Sequence, residues 1–404
     1  MKTIAVLFGG ESVEHDVSIL TALQFMDAMD PDKYEALPVY ADRKGRWWTG
    51  MDLRKKEFYP LSEGKSGTLA RVALPFTPMR GDRPYLMEKT KGVFAKSRTI
   101  PFDVIVPAIH GTNGEDGTLQ GMLDFLGVPY AGCGTLASAA TMDKDFTKRM
   151  LKGNGIPVLD HITVTRNVGG GHIDAKAIKA DITRTFGKSP YPVIVKPCHL
   201  GSSIGVTPAN NFDDVMAGLI LCFRMDDTAL IEPFVDNLVE YNIAASRAFD
   251  GSPTTSVIER PLKASEFLDF KDKYLSGDDN GAKLKTSTSS EGMASLNRVI
   301  NPDELTEKQA ASIHSWAKTA FSALSLAGSV RIDFLGNEKT GELWLNEINT
   351  VPGSFAFYLW QESEPAVGFT ALTTALIEEG LARTATGARG TDPALGGAVI
   401  FKDQ

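Results

Sequence analysis

Arg331, Asp333, Glu347 and Asn349 fall in two short apolar runs late in the chain, VRIDFL and LNEIN. Residues two apart in a strand share a face, so Arg331 points with Asp333 and Glu347 with Asn349. A guanidinium beside three oxygen-bearing side chains suits a divalent cation and a phosphoryl group. Hard oxygens hold the ion, and the planar Arg fork spreads over phosphate oxygens. A solvent-facing sheet with a structural salt bridge would show the same alternation, and spacing alone does not separate the two. The next residues favour the first reading. Thr350-Val351-Pro352-Gly353-Ser354 is a tight turn directly after the candidate ligands, and such turns present backbone N–H groups to developing oxyanions.

Three other segments could carry chemistry. His199-Leu200-Gly201-Ser202-Ser203-Ile204-Gly205 lacks the GxxxxGK[ST] pattern of a P-loop and the GxGxxG of a dinucleotide fold. It lies between two strands with Lys196 ending the first, so its N–H groups and hydroxyls could approach phosphate, with the lysine supplying charge. On the loop alone, an ordinary hairpin with a surface lysine is the favoured reading. HGTNGEDG (110–117) is a glycine-dense turn between strand and helix, where anions commonly dock, or simply a long βα loop. Glu14 stands just before the first helix, a place where the dipole favours any acid.

The elements that must position these residues read as an α/β chain. Lys2–Phe8 (KTIAVLF) followed by Gly9-Gly10 and an apolar-periodic Val17–Met29 predicts strand, turn and helix, the opening of a parallel unit. Further strands are expected at Ala36–Tyr40 and Phe102–Ala108, with a helix at Gly117–Leu126. Leu61–Ile100 reads as irregular surface structure. A helix is expected at Met142–Lys152, bounded by Asp143 and by Gly153, Gly155 and Pro157. Strands follow at Tyr191–Lys196, Ile204–Thr207, Ala229–Glu232 and Glu240–Ala245. After a long polar stretch come two helices' worth of apolar sequence, and then strands Ser329–Leu335 and Glu342–Asn349.

The 404 residues imply two or three compact units. The net charge of −8, with dispersed Lys and Arg, disfavours a nucleic-acid binder. No apolar run approaches the ~18 residues of a membrane span, and Met1–Gly10 does not read as a signal peptide, so a cytoplasmic location is expected. Cys133, Cys198 and Cys222, and the six histidines at 15, 110, 161, 172, 199 and 314, show neither paired nor metal-ligand spacing.

Taken in order, the segments GGESVEHDVS (9–18), HGTNGEDGTLQG (110–121), PYAGCG…MDK…TK (129–148), VIVKP…GSSIGV (193–206), KDKY (271–274), RIDF (331–334) and NEINTVPG (346–353) resemble the D-alanine–D-alanine ligase family of ATP-grasp enzymes. The likeness runs through nearly the whole chain. It implies an ATP-grasp α/β (α+β) fold: an N-terminal parallel α/β domain (1–138) for the first D-amino acid, a central subdomain (139–231), and a C-terminal catalytic domain (232–385). Mixed sheets of the last two would enclose ATP under a lid at about 262–297, with 386–404 as a tail. ATP and two magnesium ions, for which manganese can substitute, are the implied cofactors. Small D-amino acids are the implied substrates, and a homodimer the implied assembly, with no nucleic acid or membrane as partner.

The resemblance also implies roles. Lys144, Lys196, Ser203 and Lys273 would contact ATP, Glu232 the adenine edge and Glu240 the ribose. Asp333, Glu347 and Asn349 would hold the metal ions. Glu14 would pair with the first substrate's ammonium, linked to Ser202 and Tyr274, and His110 would sit near its carboxylate. Arg331 and the Gly353 N–H would stabilise the tetrahedral oxyanion. Tyr358 and Leu359 would face the acceptor. Departures occur in three places: Tyr358 stands where serine is common, His199-Leu200 replaces a charged pair, and Phe270 replaces an aromatic hydroxyl. The implied product is D-alanyl-D-alanine for peptidoglycan precursors, and the segment 354–360 leaves open another acceptor, such as D-serine, another D-amino acid or an amine. A nucleotide-binding protein without ligase activity would be expected to have broken catalytic positions. Here they are intact.

Overall fold

A computed structural model of the chain describes residues 1–59, 68–79, 82–89, 98–166, 173–262 and 298–386. Its strands form three sheets. The first holds β1 (Lys2–Gly9), β2 (Tyr34–Ala41), β3 (Trp47–Thr49), β4 (Ala70–Ala73), β5 (Tyr85–Glu88), β6 (Thr99–Pro101) and β7 (Val104–Pro107), in the order β6-β5-β4-β3-β2-β1-β7. β1 runs parallel to β2 and β7, and the rest of that sheet is antiparallel. Ile4 to Phe8 are wholly buried, because helices cover both faces of the parallel centre. On one side lies α1 (His15–Ala28), and on the other α2 (Thr118–Leu126), which places Leu119 and Leu123 against Ala5 and Leu7.

Next come α3 (Thr135–Met142) and α4 (Lys144–Gly153), the latter capped by Asp143, whose carboxylate accepts the Phe146 N–H at 2.9 Å. The second sheet contains β8 (Ile162–Thr165), β9 (Val193–Pro197), β10 (Thr207–Ala209) and β11 (Thr228–Pro233), ordered β10-β9-β11-β8, with α5 (Ala175–Phe186) and α6 (Phe212–Cys222) packed on it. The third contains β12 (Leu238–Ser246), β13 (Thr254–Pro261), β14 (Arg298–Ile300), β15 (Ser329–Asn337) and β16 (Leu343–Asn349), ordered β14-β13-β12-β15-β16. Both of these sheets are antiparallel. Helix α7 (Glu307–Ala323), begun by a Thr306–Gln309 capping box, lays Ile313, Ala317 and Phe321 on the third sheet. The described residues end in α8 (Phe357–Gln361) and α9 (Phe369–Thr386), which returns to the first sheet, where the Tyr34 hydroxyl donates to Glu378 at 2.6 Å.

Four expectations need correction. The strand expected at Ile204–Thr207 is a turn through Gly205, and β10 begins only at Thr207. The stretch read as irregular between 61 and 100 contains β4 and β5 and the start of β6, which extend the first sheet; their length of three or four residues and charged neighbours hid the alternation. Helix α3 was not foreseen, because TLASAATM has a weak apolar stripe. The two helices' worth of sequence before β15 forms one helix, α7. All but the first residue of the lid (about 262–297) and of the tail (386–404) lie outside the described residues, as do Lys273 and Tyr274.

Candidate active site

β15 and β16 pair so that Arg331 lies opposite Asn349 and Asp333 opposite Glu347. Along β15, Val330, Ile332 and Phe334 are wholly buried beneath α7, at about 1.5–3 kcal/mol for each large side chain. The alternation then forces Arg331 and Asp333 out onto the opposite, cleft-facing side. There the Arg331 Nε and Nη2 donate to both oxygens of Asp333, each at 2.7 Å, and the Asn349 amide donates to Asp333 Oδ2 at 2.9 Å. The salt-bridge and metal-ligand readings of this face thus describe the same atoms: the guanidinium occupies a hard-oxygen cluster that fits a divalent ion. Asp333, Glu347 and Asn349 could hold one after Arg331 swings aside and the Asn349 amide turns its oxygen inward.

A second cluster lies between the second and third sheets. Glu232, near the end of β11, takes Lys148 Nζ at 2.9 Å on one oxygen and Lys196 Nζ at 2.7 Å on the other. Burial alone would raise this carboxyl, but the two ammonium groups override it and hold it at about 2. Lys196 also donates to Asn346 at 3.3 Å, and Lys144 donates to the Leu200 carbonyl at 2.6 Å and lies 3.9 Å from Glu347. Lysines from α4 and β9 therefore converge beside the oxygen cluster. Ser203 lies next to Ser202 in the glycine loop. Both have φ above +50°, a left-handed backbone uncommon for serine. Glu240 lies on the same face of β12 as Asn242, whose register partner is Asp333.

A cleft joins Glu14, His110, Lys144, Arg331, Glu347, Asn349 and Gly353. The Ser202 hydroxyl donates to Glu14 Oε1, so the glycine loop reaches across to the start of α1. Burial raises the Glu14 carboxyl, and the charge of Glu347 adds to it, against the Ser202 hydrogen bond. Gly111 backs this carboxylate at φ +70°; a Cβ there would come within 2.7 Å of Glu14 Oε2 and Ser12 Oγ, so the approach requires glycine. His110 is buried with Nε2 3.0 Å from the Thr21 hydroxyl, and burial, with Arg331 nearby, lowers it to about 3, which keeps the ring neutral. Thr21 Oγ1 also accepts the Ser354 N–H at 3.1 Å, tying His110 to the turn after β16. In that turn Ser354, Phe355 and Ala356 all have φ of 53–55°, a left-handed run costing roughly 1–2 kcal/mol per residue.

Two residues of this site were missed in the sequence. Glu115 accepts the Gly111 N–H and the Val351 N–H at 2.8 Å each and the Thr350 hydroxyl at 3.3 Å, so it fastens the 110–117 loop to the turn that carries Gly353. It stands inside a motif already singled out, but nothing local marks its partners. Lys148 had a signal: it sits one helical turn after Lys144, on the same face of α4. Tyr358 and Leu359 are brought close to the site but not into the cleft. Both are buried on α8, with the Tyr358 hydroxyl 3.5 Å from Glu259 and facing the Arg331 guanidinium, and Arg298 stacked 3.9 Å over the ring.

Converging lysines, a glycine loop and an acidic strand pair, carried between two antiparallel sheets and preceded by a parallel α/β unit, define an ATP-grasp enzyme. Models of the D-ala D-ala ligase N-terminus and C-terminus match residues 3–133 and 150–378. A D-alanine–D-alanine ligase of Thermoanaerobacter sp. (strain X514) is 35% identical over 367 residues, covering 90% of this chain and 92% of its own length. One from Thermosipho africanus is 34% identical, covering 92% and 90%. The D-alanine-D-alanine ligase structure from Coxiella burnetii superposes with a TM-score of 0.73 at 25% identity, over 95% of each chain. VanG D-Ala:D-Ser ligase from Enterococcus faecalis shares the fold at TM-score 0.73, 24% identity, and coverage of 94% and 99%. This chain belongs to the D-alanine–D-alanine ligase family.

Proposed function

We propose that the chain joins two D-alanines at the expense of ATP, giving D-alanyl-D-alanine for peptidoglycan precursors, with magnesium as its divalent ion. The observation that carries this is the Arg331–Asp333–Asn349 cluster facing Glu14 and Ser202 across one cleft. A carboxylate is a poor electrophile, so it must first take the γ-phosphoryl group as an acyl phosphate. The second amine then displaces phosphate. Lys144, Lys196 and the Ser202–Ser203 N–H groups cradle the phosphates, with Glu232 set at the base edge and Glu240 toward the sugar. Asp333, Glu347 and Asn349 would hold magnesium, whose charge screens the phosphate oxygens from the incoming carboxylate. Glu14, kept in place by Ser202, pairs with the first ammonium, and neutral His110 accompanies the first carboxylate. Arg331 and the Gly353 N–H meet the oxyanion of the tetrahedral intermediate, where one such donor is typically worth about 3 kcal/mol. Lys273 and Tyr274 belong to the same proposal as phosphate and substrate contacts.

The three-domain division at about 138 and 231, the homodimer and the cytoplasmic setting complete the reading; no helix among the described residues is long and apolar enough to cross a membrane. The Tyr358 environment favours a second reading with a different acceptor, because a buried aromatic ring stands beside Arg331 where a small hydroxyl is common. Phosphate release from ATP and magnesium with a panel of D- and L-amino acids decides between them. D-alanine alone should support turnover with a dipeptide product. Turnover only with another amine would replace the acceptor, and no amino-acid-dependent release would overturn the ligase assignment.

A further inference from the structure

We propose that Asp143, Cys198 and His199 form a binding site for a zinc-type divalent transition ion, separate from the oxygen cluster on β15 and β16. Sequence spacing gives no hint of it, because Asp143 caps α4 while Cys198 and His199 follow β9. Folding brings one donor atom from each within 4.8 Å of the others. Cys198 Sγ lies 3.2 Å from Asp143 Oδ1, and His199 Nε2 lies 3.7 Å from Asp143 Oδ2. Around zinc, bonds of about 2.0–2.3 Å set tetrahedral donors roughly 3.3–3.8 Å apart, so small side-chain shifts suffice.

The surroundings prepare the donors. His199 Nδ1 is held at 2.8 Å by Asp226, which also accepts the His199 N–H at 2.7 Å. By engaging both the backbone N–H and Nδ1, the Asp226 carboxylate fixes the orientation of the ring. Nε2 is the ring nitrogen left facing Asp143 Oδ2, and it is the one able to take an ion. This is the carboxylate–histidine arrangement that orients imidazole on metals. Asp143 uses Oδ1 to cap Phe146, which leaves Oδ2 for the ion. Cys198 is fully buried, whereas the His199 and Asp143 side chains are 39% and 36% exposed, so solvent can fill the fourth position. A soft thiolate beside imidazole selects zinc or cobalt over magnesium. The thiol passes its proton to solvent as the ion binds. Asp143 immediately precedes Lys144, and His199 opens the loop that carries Ser202 to Glu14. An ion here would tie the start of α4 to the glycine loop.

The test titrates the metal-free full-length protein with Co²⁺ alone and then displaces it with Zn²⁺. A single site with thiolate-to-cobalt charge-transfer absorption and four-coordinate ligand-field bands is expected, removed by Zn²⁺. Oxygen ligands on β15 and β16 give no thiolate band, so cobalt there is distinguishable. Cys198→Ser should abolish the charge-transfer band. Asp226→Asn should weaken affinity about 10- to 100-fold by freeing the imidazole, and His199→Ala should weaken it at least as much. No thiolate band in the wild-type protein, or one that persists in Cys198→Ser, overturns the site. If Cys198→Ser does not fold, by circular dichroism, the half-exposed His199→Ala decides: unchanged cobalt affinity overturns the proposal, and a loss supports it.

Discussion

Replacing Glu115 with Gln should remove a pH-dependent loss of stability that the wild-type protein carries. Burial, and then the charge of Glu14, pushes the Glu115 carboxyl up from 4.5 to about 7. The native state therefore holds a proton that the unfolded chain has already released between those values. Stability from this group is present below the unfolded pKa and is lost as pH rises through the folded one. The gap of roughly 2.5 units, at about 1.36 kcal/mol each, amounts to about 3 kcal/mol. Gln cannot ionise and contributes no such slope. It does lose something constant: one amide end is a donor, and it faces either the Gly111 N–H or the Val351 N–H, at about 1–3 kcal/mol. Near about pH 5 the variant should be the less stable protein, and by about pH 8 the difference should close or reverse. Chemical denaturation of both proteins across this window measures it. Two stability curves that run parallel throughout would refute the reasoning, because Glu115 would then not titrate differently in the folded state.

Lys148→Met removes one of the two cations on a fully enclosed carboxylate, and a broken buried pair typically costs about 3–5 kcal/mol. Denaturation should register that loss, and the KM for ATP should rise while the KM for the amino acid stays close to wild type. Arg331→Met should lower kcat at least about a hundredfold, the value of one oxyanion donor, with a folded protein by circular dichroism. An effect confined to KM would show that Arg331 binds ground states only.

Much of the site was legible because its logic is local. In β15 and β16 a period of two assigns each residue to the core or to the cleft, so Arg331 could be placed with Asp333, and Glu347 with Asn349, from spacing, while the register that joins the two pairs on one face came with the pairing of the strands. The turns at 110–117, 199–205 and 350–354 were marked by their glycines, prolines and small hydroxyl residues, which answer to backbone geometry within a few positions. The short strands β4, β5 and β6 were not legible, since three or four residues carry too little alternation and their pairing is made by neighbours elsewhere in the chain.

What only the tertiary structure decided is the matching of partners. Ser202 finds Glu14 across 188 residues, and Glu115 finds Val351 across 236. Lys148 becomes a partner of Glu232 only when α4 packs beside β11, and Tyr358 turns toward Arg331 only because the left-handed run 354–356 sends α8 into the core. Sequence by itself settles which way a side chain faces on its own strand or helix, because that follows from bond geometry. Which group it meets, and hence the charge it bears, depends on burial and proximity, and these exist only once the sheets have packed.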